Sequence, residues 1–360
     1  MRLAGLDKAH RCLVALAIAL GVPGCAAVGT EAIGSGRAAY NEIITRTGDE
    51  QMLGLIVRTR YGESVGLLAV SAVTANVHVS GSIAAELGIG PDSSFAGNLV
   101  PFSAGAVYEE NPTISYTPVQ GEEFVRQLLA PLSIEILVLY SRTLRDSELM
   151  FGLLVERINA LRNPLYTGRS GERDEFLRAA QLIAQLQRDG CAHWVLDPDG
   201  PAPAQLVISG YGPEQRDQVR ELLDRLGLRA LAVAGQDLVL PVRLAVGTSK
   251  EARLDLQTRS VYEVLEIAAS TVEVPEQHRG VAVPQYEQIF APPNFLRIRS
   301  SEDRPDGAVV AVQHRDVWFY IDDSDASSKF AFRTLVSLVG MRLSEASEGS
   351  IPTLTIPASR

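Results

Sequence analysis

Val77-His78-Val79-Ser80-Gly81-Ser82-Ile83-Ala84-Ala85-Glu86-Leu87-Gly88-Ile89-Gly90 changes side at every step. Val77, Val79, Gly81, Ile83, Ala85, Leu87 and Ile89 fall on one side. His78, Ser80, Ser82, Ala84, Glu86, Gly88 and Gly90 fall on the other. A period of two marks a strand with two unlike faces. Pro91-Asp92-Ser93-Ser94 is a turn cluster. A second alternating run follows, with Val100, Phe102, Ala104, Ala106 and Tyr108 on one face. Asn111-Pro112 interrupts it, and Thr113 to Tyr116 reads as one more short strand. The spacing predicts a long β-hairpin or meander over 75–117.

Helical periodicity flanks this segment. A first helical stretch is expected from Arg37 to Thr45. Thr47-Gly48-Asp49-Glu50 then has the spacing of a capping box, and Met52, Leu53, Ile56 and Val57 give the face of the helix it would open. Arg58 and Arg60 sit near its end, where cations suit the helix dipole. Beyond the hairpin, Glu122 to Leu129 is stopped by Pro131. Ser133 caps a helix with Ile134, Leu137 and Val138 on its face. Asp146 or Ser147 caps a third, in which Met150, Leu153, Leu154, Ile158 and Leu161 recur at threes and fours. Asn163-Pro164 ends it. Leu165 to Gly171 is polar with two glycines, so a first domain is expected over 37–164 and a second over 165–343.

The second half alternates element types. A helix bearing Phe176, Ala180, Ile183 and Leu186 ends at Gly190, and strands at 193–196 and 205–209 flank a Pro-rich turn. A helix opens at Pro213 and ends at Gly227. Strands are expected at 229–234 and 237–247, then a helix capped by Ser260 with Glu263, a Pro-rich loop over Val274 to Pro293, and a strand from Phe295 to Arg299. From Gln205 this is the β-α-β-β-α-β order of a ferredoxin-like unit. A hairpin at 308–321, a helix over 327–343 and a polar tail (344–360) complete the reading. The expected fold class is α+β: helices plus a long β-hairpin or meander, then an α/β domain of ferredoxin-like order.

The N-terminus speaks about location. Arg2, Lys8 and Arg11 precede an apolar run from Cys12 to Val22, too short to span a bilayer. Val22-Pro23-Gly24-Cys25 follows and resembles the lipobox of bacterial lipoproteins. That resemblance implies a signal peptide over 1–24 and cleavage between Gly24 and Cys25. Cys25 would then carry lipid on its sulfur and amino group. Several acyl chains hold a protein stably where one does not. No cofactor beyond this covalent lipid is expected. The partners it implies are the lipoprotein processing and sorting machinery and the membrane itself. Ala26, not Asp, follows the cysteine, which implies transfer to the outer membrane of a Gram-negative bacterium, facing the periplasm. An ordinary secretory cleavage site around Gly24-Cys25-Ala26-Ala27 is the alternative. Residues 25–36 are small and Gly-rich and read as a tether.

Residues 1–24 hold three basic residues and one acidic one, so removing them takes the formal charge from −10 to −12. An acidic chain without a long Lys/Arg run is a poor partner for nucleic acid. An apolar fraction of 46% excludes wholesale disorder. Beyond Cys12 and Cys25 only Cys191 remains, so the mature chain has no intramolecular disulfide to form. Cys191-Ala192-His193 offers a Cys-x-His pair, set against a buried thiol at a strand start.

Few other motifs carry chemistry. Gly62-Glu63-Ser64-Val65-Gly66 matches Gly-x-Ser-x-Gly, but a helix precedes it and a strand follows, the reverse of a nucleophile elbow. No Walker A, Gly-x-Gly-x-x-Gly or His-Glu-x-x-His sequence occurs. His78, His193, His278 and His314 show no metal-ligand spacing. Asp322, Asp323 and Asp325 sit between a strand and a helix, which suits either a cation held by oxygens or helix capping. The hairpin has the dyad pattern of a barrel wall, but one chain cannot close a barrel, so a pore requires several copies. A soluble sheet with one wet face is its alternative.

Thr47-Gly48-Asp49-Glu50-Gln51-Met52-Leu53, Val57-Arg58-Thr59-Arg60-Tyr61, Pro112-Thr113-Ile114-Ser115-Tyr116-Thr117-Pro118, Gly121-Glu122-Glu123-Phe124 and Trp318-Phe319-Tyr320-Ile321-Asp322-Asp323 resemble a group of proteobacterial lipoproteins without an assigned activity. The resemblance spans most of the mature chain. It implies an envelope lipoprotein and transfers no catalytic residue. The first expectation is therefore a non-enzymatic binding or assembly module, partnered by an envelope protein or by itself. An oligomeric export or pore component using the 75–117 hairpin is the alternative, and a hydrolase around Ser64 or the Asp322–Asp325 loop is a third.

Overall fold

A computed structural model describes residues 24–63, 67–74, 77–85, 102–110, 113–119, 122–143, 147–166, 170–197, 199–200, 202–231, 237–245, 252–292, 295–347 and 354–357. Backbone alone is described for 24–40, for the strands of 67–119, for 354–357 and at a few element ends. Residues 1–23 of the expected signal (1–24), the turn Pro91 to Ser94 and Ser64 lie outside the described residues.

Helix α1 runs unbroken over Gly24–Arg60, 37 residues. It takes in 25–36, expected as a tether, and fuses the two helices expected on either side of Arg46. The capping box at Thr47 does not form. The Thr47 hydroxyl donates instead to the carbonyls of Ile43 (2.9 Å) and Ile44 (3.1 Å), the back-bond of a hydroxyl inside a helix. The face expected further on is real: Met52, Leu53, Ile56 and Val57 are buried.

Strands β1 (Leu67–Thr74), β2 (Val77–Ala85), β3 (Phe102–Glu110) and β4 (Thr113–Val119) form the expected hairpin. Its two arms hold one antiparallel register from Ala72–Ser115 out to Ala85–Phe102. A shift between Val70 and Ala72 marks a bulge near the root. The chain end returns here: β14 (Leu354–Pro357) pairs antiparallel with β4, where a polar tail was expected. Helix α8 (Ala326–Ser347) lies against β1 and β4, whereas β2 and β3 make their extended contact with each other.

After the hairpin come α2 (Glu122–Leu129), α3 (Ile134–Thr143) and α4 (Ser147–Leu154). A six-stranded mixed sheet follows, in the order β6-β5-β10-β9-β8-β7. Its strands are β5 (Val155–Ile158), β6 (Leu161–Arg162), β7 (Ala192–Leu196), β8 (Ala204–Ile208), β9 (Leu238–Leu244) and β10 (Leu254–Thr258). β9 and β10 are parallel and the other pairs antiparallel. Trp194, Leu206 and Leu240 share one buried row, as alternation requires.

Three expectations change here. The helix expected to reach Leu161 stops at Leu154, and Val155 opens a strand. The buried Arg259 explains this. Its guanidinium donates to the carbonyls of Gly152 (3.0 Å) and Leu153 (3.1 Å), and its own N–H donates to that of Leu154 (2.8 Å). The carbonyls that the next helical turn needs are taken. The boundary expected at 164 therefore falls inside one sheet, because β5 pairs with β10 from the second half. The β-α-β-β-α-β arrangement is not what the sheet holds. Arg229–Leu231 is a 3-10 turn, and β11 (Arg299–Ser301), at the end of the strand expected over 295–299, pairs outside this sheet. Leu254–Thr258, given no element from the sequence, supplies β10 instead.

α5 (Ser170–Arg188) and α6 (Pro213–Arg225) complete this half, with α7 (Val261–Ser270) opened by the expected Ser260–Glu263 box. Ser260 accepts the Glu263 N–H at 3.2 Å, and the Glu263 carboxylate accepts the Ser260 N–H at 2.8 Å. A three-stranded sheet, β11-β13-β12, follows; β12 is Ala308–His314 and β13 Val317–Asp322. Arg315 (φ 51°) and Asp316 (φ 65°) make its two-residue turn. One continuous apolar cluster joins α1, both described sheets of the body and the helices, from Met52 to Val339. Among the described helices none is long and apolar enough to cross a membrane.

Candidate functional site at the root of the hairpin

The last turn of α1 delivers Arg60, Tyr61, Gly62 and Glu63 to the point where the hairpin begins. The Gly62 N–H donates to the Thr59 carbonyl (2.9 Å) and the Glu63 N–H to the Arg58 carbonyl (3.0 Å), which closes the helix. Gly62 takes φ +69°, a left-handed conformation. A Cβ there would stand 2.8 Å from Cγ2 of Val283, so space and backbone both require glycine.

The loop over 275–289 straps this turn. The Arg60 guanidinium donates to the Val283 carbonyl (2.9 Å), and the Val283 N–H donates back to the Arg60 carbonyl (3.1 Å). A second guanidinium nitrogen lies 3.4 Å from the exposed Glu287 carboxylate. Arg60 also faces the Tyr286 ring at 5.8 Å. Burial lowers the Arg60 pKa and pushes Tyr286 up to about 12.

Tyr61 is the centre of the cluster. Its hydroxyl and Nδ1 of His278 are 2.8 Å apart, with the tyrosine 5% and the histidine 8% exposed. Its ring meets His314 at 5.0 Å and Phe319 edge-on at 6.1 Å. Arg315 lies over it at 5.4 Å. Glu63 accepts two hydrogen bonds from Arg315 (2.8 and 3.2 Å), and Nε2 of His314 is 3.4 Å from the same oxygen. The Arg315 hydrogen bond holds the Glu63 carboxyl below its ordinary range. Desolvation lowers His314 and raises Tyr61. The Tyr61–His278 pair is shut from solvent, so its chemistry is to fasten the hairpin root to the body. A shallow groove of about 270 Å³ runs beside it, bordered by Glu50, Gly54, Arg58 and His314.

Two histidines that looked scattered thus converge on one tyrosine. No spacing in the chain announces this. The available signal was density: Arg58, Arg60, Tyr61 and Glu63 crowd the end of an apolar helix just before a glycine-marked turn. Val57–Tyr61 and Trp318–Asp323 also meet here, through Tyr61 and Phe319.

The other candidates are placed as follows. Gly24 and Cys25 form the first turn of α1. Asp322 accepts from the N–H (2.9 Å) and hydroxyl (2.5 Å) of Ser324 and lies 3.4 Å from Arg299. Asp323 pairs with Lys329 at 3.0 Å, and Asp325 caps α8 through the Ser328 N–H (3.0 Å). Each carboxylate has its own partner, the geometry of capping. Among the described residues no group of three His, Cys, Asp or Glu is placed to hold a metal. Cys191 is a buried thiol aimed at the Asp189 carbonyl, while the exposed His193 ring bonds the Gly190 carbonyl. They do not form a nucleophile–base pair. Comparisons with protein-family models, with curated proteins and with solved structures find no match.

Proposed function

We propose that this chain is a lipid-anchored protein of a Gram-negative outer membrane, facing the periplasm, that works by assembly through its hairpin. The observation that carries this reading is the hairpin itself. The pairs Ala72–Ser115 to Thr74–Thr113 and Val77–Glu110 to Ala85–Phe102 share one register, and among the described residues the outer strands pair only with each other. A two-stranded ribbon is marginal alone in water, so its length calls for a partner. The fastened root supports the same reading, because the buried Tyr61–His278 bond and the exposed Glu63–Arg315 pair both fix where the ribbon leaves the body. The lipobox-like ending at Cys25 supports the anchor.

The test is to extract the lipidated protein in detergent and measure its size by light scattering and negative stain. Discrete oligomers are expected, and a monodisperse monomer overturns the reading. Cys25→Ser should move the protein from the membrane pellet to the soluble fraction; continued pelleting refutes the anchor.

A further inference from the structure

β2 and β3 each have nine residues, paired without a slip from Val77–Glu110 to Ala85–Phe102. About nine to eleven residues is the length of a tilted strand that crosses a bilayer. The register sorts the pairs into two alternating rows. One row holds Val77/Glu110, Val79/Tyr108, Gly81/Ala106, Ile83/Ala104 and Ala85/Phe102. The other holds His78/Glu109, Ser80/Val107, Ser82/Gly105 and Ala84/Ser103. Away from the root the first row is apolar and the second small or polar, the pattern of a barrel wall with one face in lipid and one in water.

Among the described residues β2 and β3 pair only with each other, and no described strand lies along either outer edge of the ribbon. Nearer the body the outer edge of β4 is covered by β14. Open strand edges seek another strand.

We propose that the missing strands are those of further copies of this chain, and that the β2 edge of one copy pairs with the β3 edge of the next to close a transmembrane barrel. The occupant follows from the ribbon's own geometry. β2 and β3 run antiparallel, so a β2-to-β3 contact between copies is antiparallel as well and keeps the two rows in phase. Such a contact is head-to-tail, and repetition about one axis closes it into a ring. With two strands from each copy, a barrel of about sixteen strands, wide enough to hold an aqueous channel, takes about eight copies. The inference rests on the assembly reading and adds that the assembled element lies in the membrane.

The test uses the full lipidated chain in a Cys191→Ser background, reconstituted into dye-loaded vesicles of phosphatidylcholine and phosphatidylglycerol. Dye release is expected. Single cysteines are placed by Ser80→Cys, Ser82→Cys, Val79→Cys and Ile83→Cys and exposed to a membrane-impermeant maleimide. The first two are expected to react about tenfold faster than the last two, because the thiolate forms only in water. Equal rates on both rows overturn the barrel. Ile83→Asp should abolish release and Ser82→Asp should retain it; identical behaviour of the two also overturns it. Oligomers in detergent that release no dye sink the barrel and leave the assembly reading standing. A monomer in detergent sinks both.

Discussion

The Tyr61 hydroxyl lies 2.8 Å from Nδ1 of His278, a residue 217 positions further along the chain. Both groups are buried, so each satisfies a partner that has no water to turn to. Tyr61→Phe should lower stability by about 1 kcal/mol, the usual net worth of such a bond. Urea denaturation checks this, and an unchanged midpoint would show that the contact holds nothing.

Gly62 joins α1 to the hairpin at φ +69° with Val283 packed where a side chain would start. Gly62→Ala should cost about 1–3 kcal/mol, part strain and part overlap. Adding Val283→Ala should recover the overlap and leave the strain. A double variant no more stable than Gly62→Ala alone would contradict that split.

Acid should loosen the root. Desolvation depresses His314 in the fold, while Glu63, Arg315, Arg58 and His278 face it. The unfolded chain then binds more protons near the ordinary histidine value of about 6.5, so this part of the stability is present above that pH and fades as pH falls below it. Glu63 adds a loss in the same direction at lower pH, since Arg315 holds its pKa down. His314→Gln should flatten the fall in melting temperature between about pH 7 and 5, by less than about 1 kcal/mol because Glu63 is partly exposed. A slope identical to that of the wild type would exclude His314 as its source.

Arg259 is a cation held by carbonyls. Burial lowers its pKa to about 10, and its guanidinium reaches the carbonyls of Gly152, Leu153 and Asn163. Arg259→Met should strip those acceptors of their donor and cost about 3 kcal/mol or more. Backbone amides of Val155 to Ile158 should then exchange faster with deuterium. Full protection there would mean that β5 does not depend on Arg259.

What the sequence disclosed follows from how local each cause is. The alternation from Val77 to Ala85 is written in neighbouring residues, and the register agrees with it. The Ser260–Glu263 box and the hairpin over 308–321 are equally local and formed as read. Val155 became a strand because Arg259, far along the chain, claims the carbonyls before it, and no window around Val155 contains that fact. Thr47 had the right spacing for a cap, but the helix continues through it and its hydroxyl turned backward. His278 and His314 were legible as residues and not as neighbours, because only the folded body brings both to Tyr61.

A tether and a rod do different things to whatever lies at their far ends. A leash of the same residues sets only a maximum reach. The helix Gly24–Arg60 instead sets a length, about 55 Å at 1.5 Å for each of its residues, and also an angle. Lengthening it by seven residues adds close to two turns and returns the hairpin root to nearly the same azimuth. Lengthening it by five swings the root through more than a quarter of a circle. The distance and heading of Glu63 from Cys25 are therefore quantised by the helical pitch, so a function that needs both in place would tolerate insertions in this helix by phase and not by size.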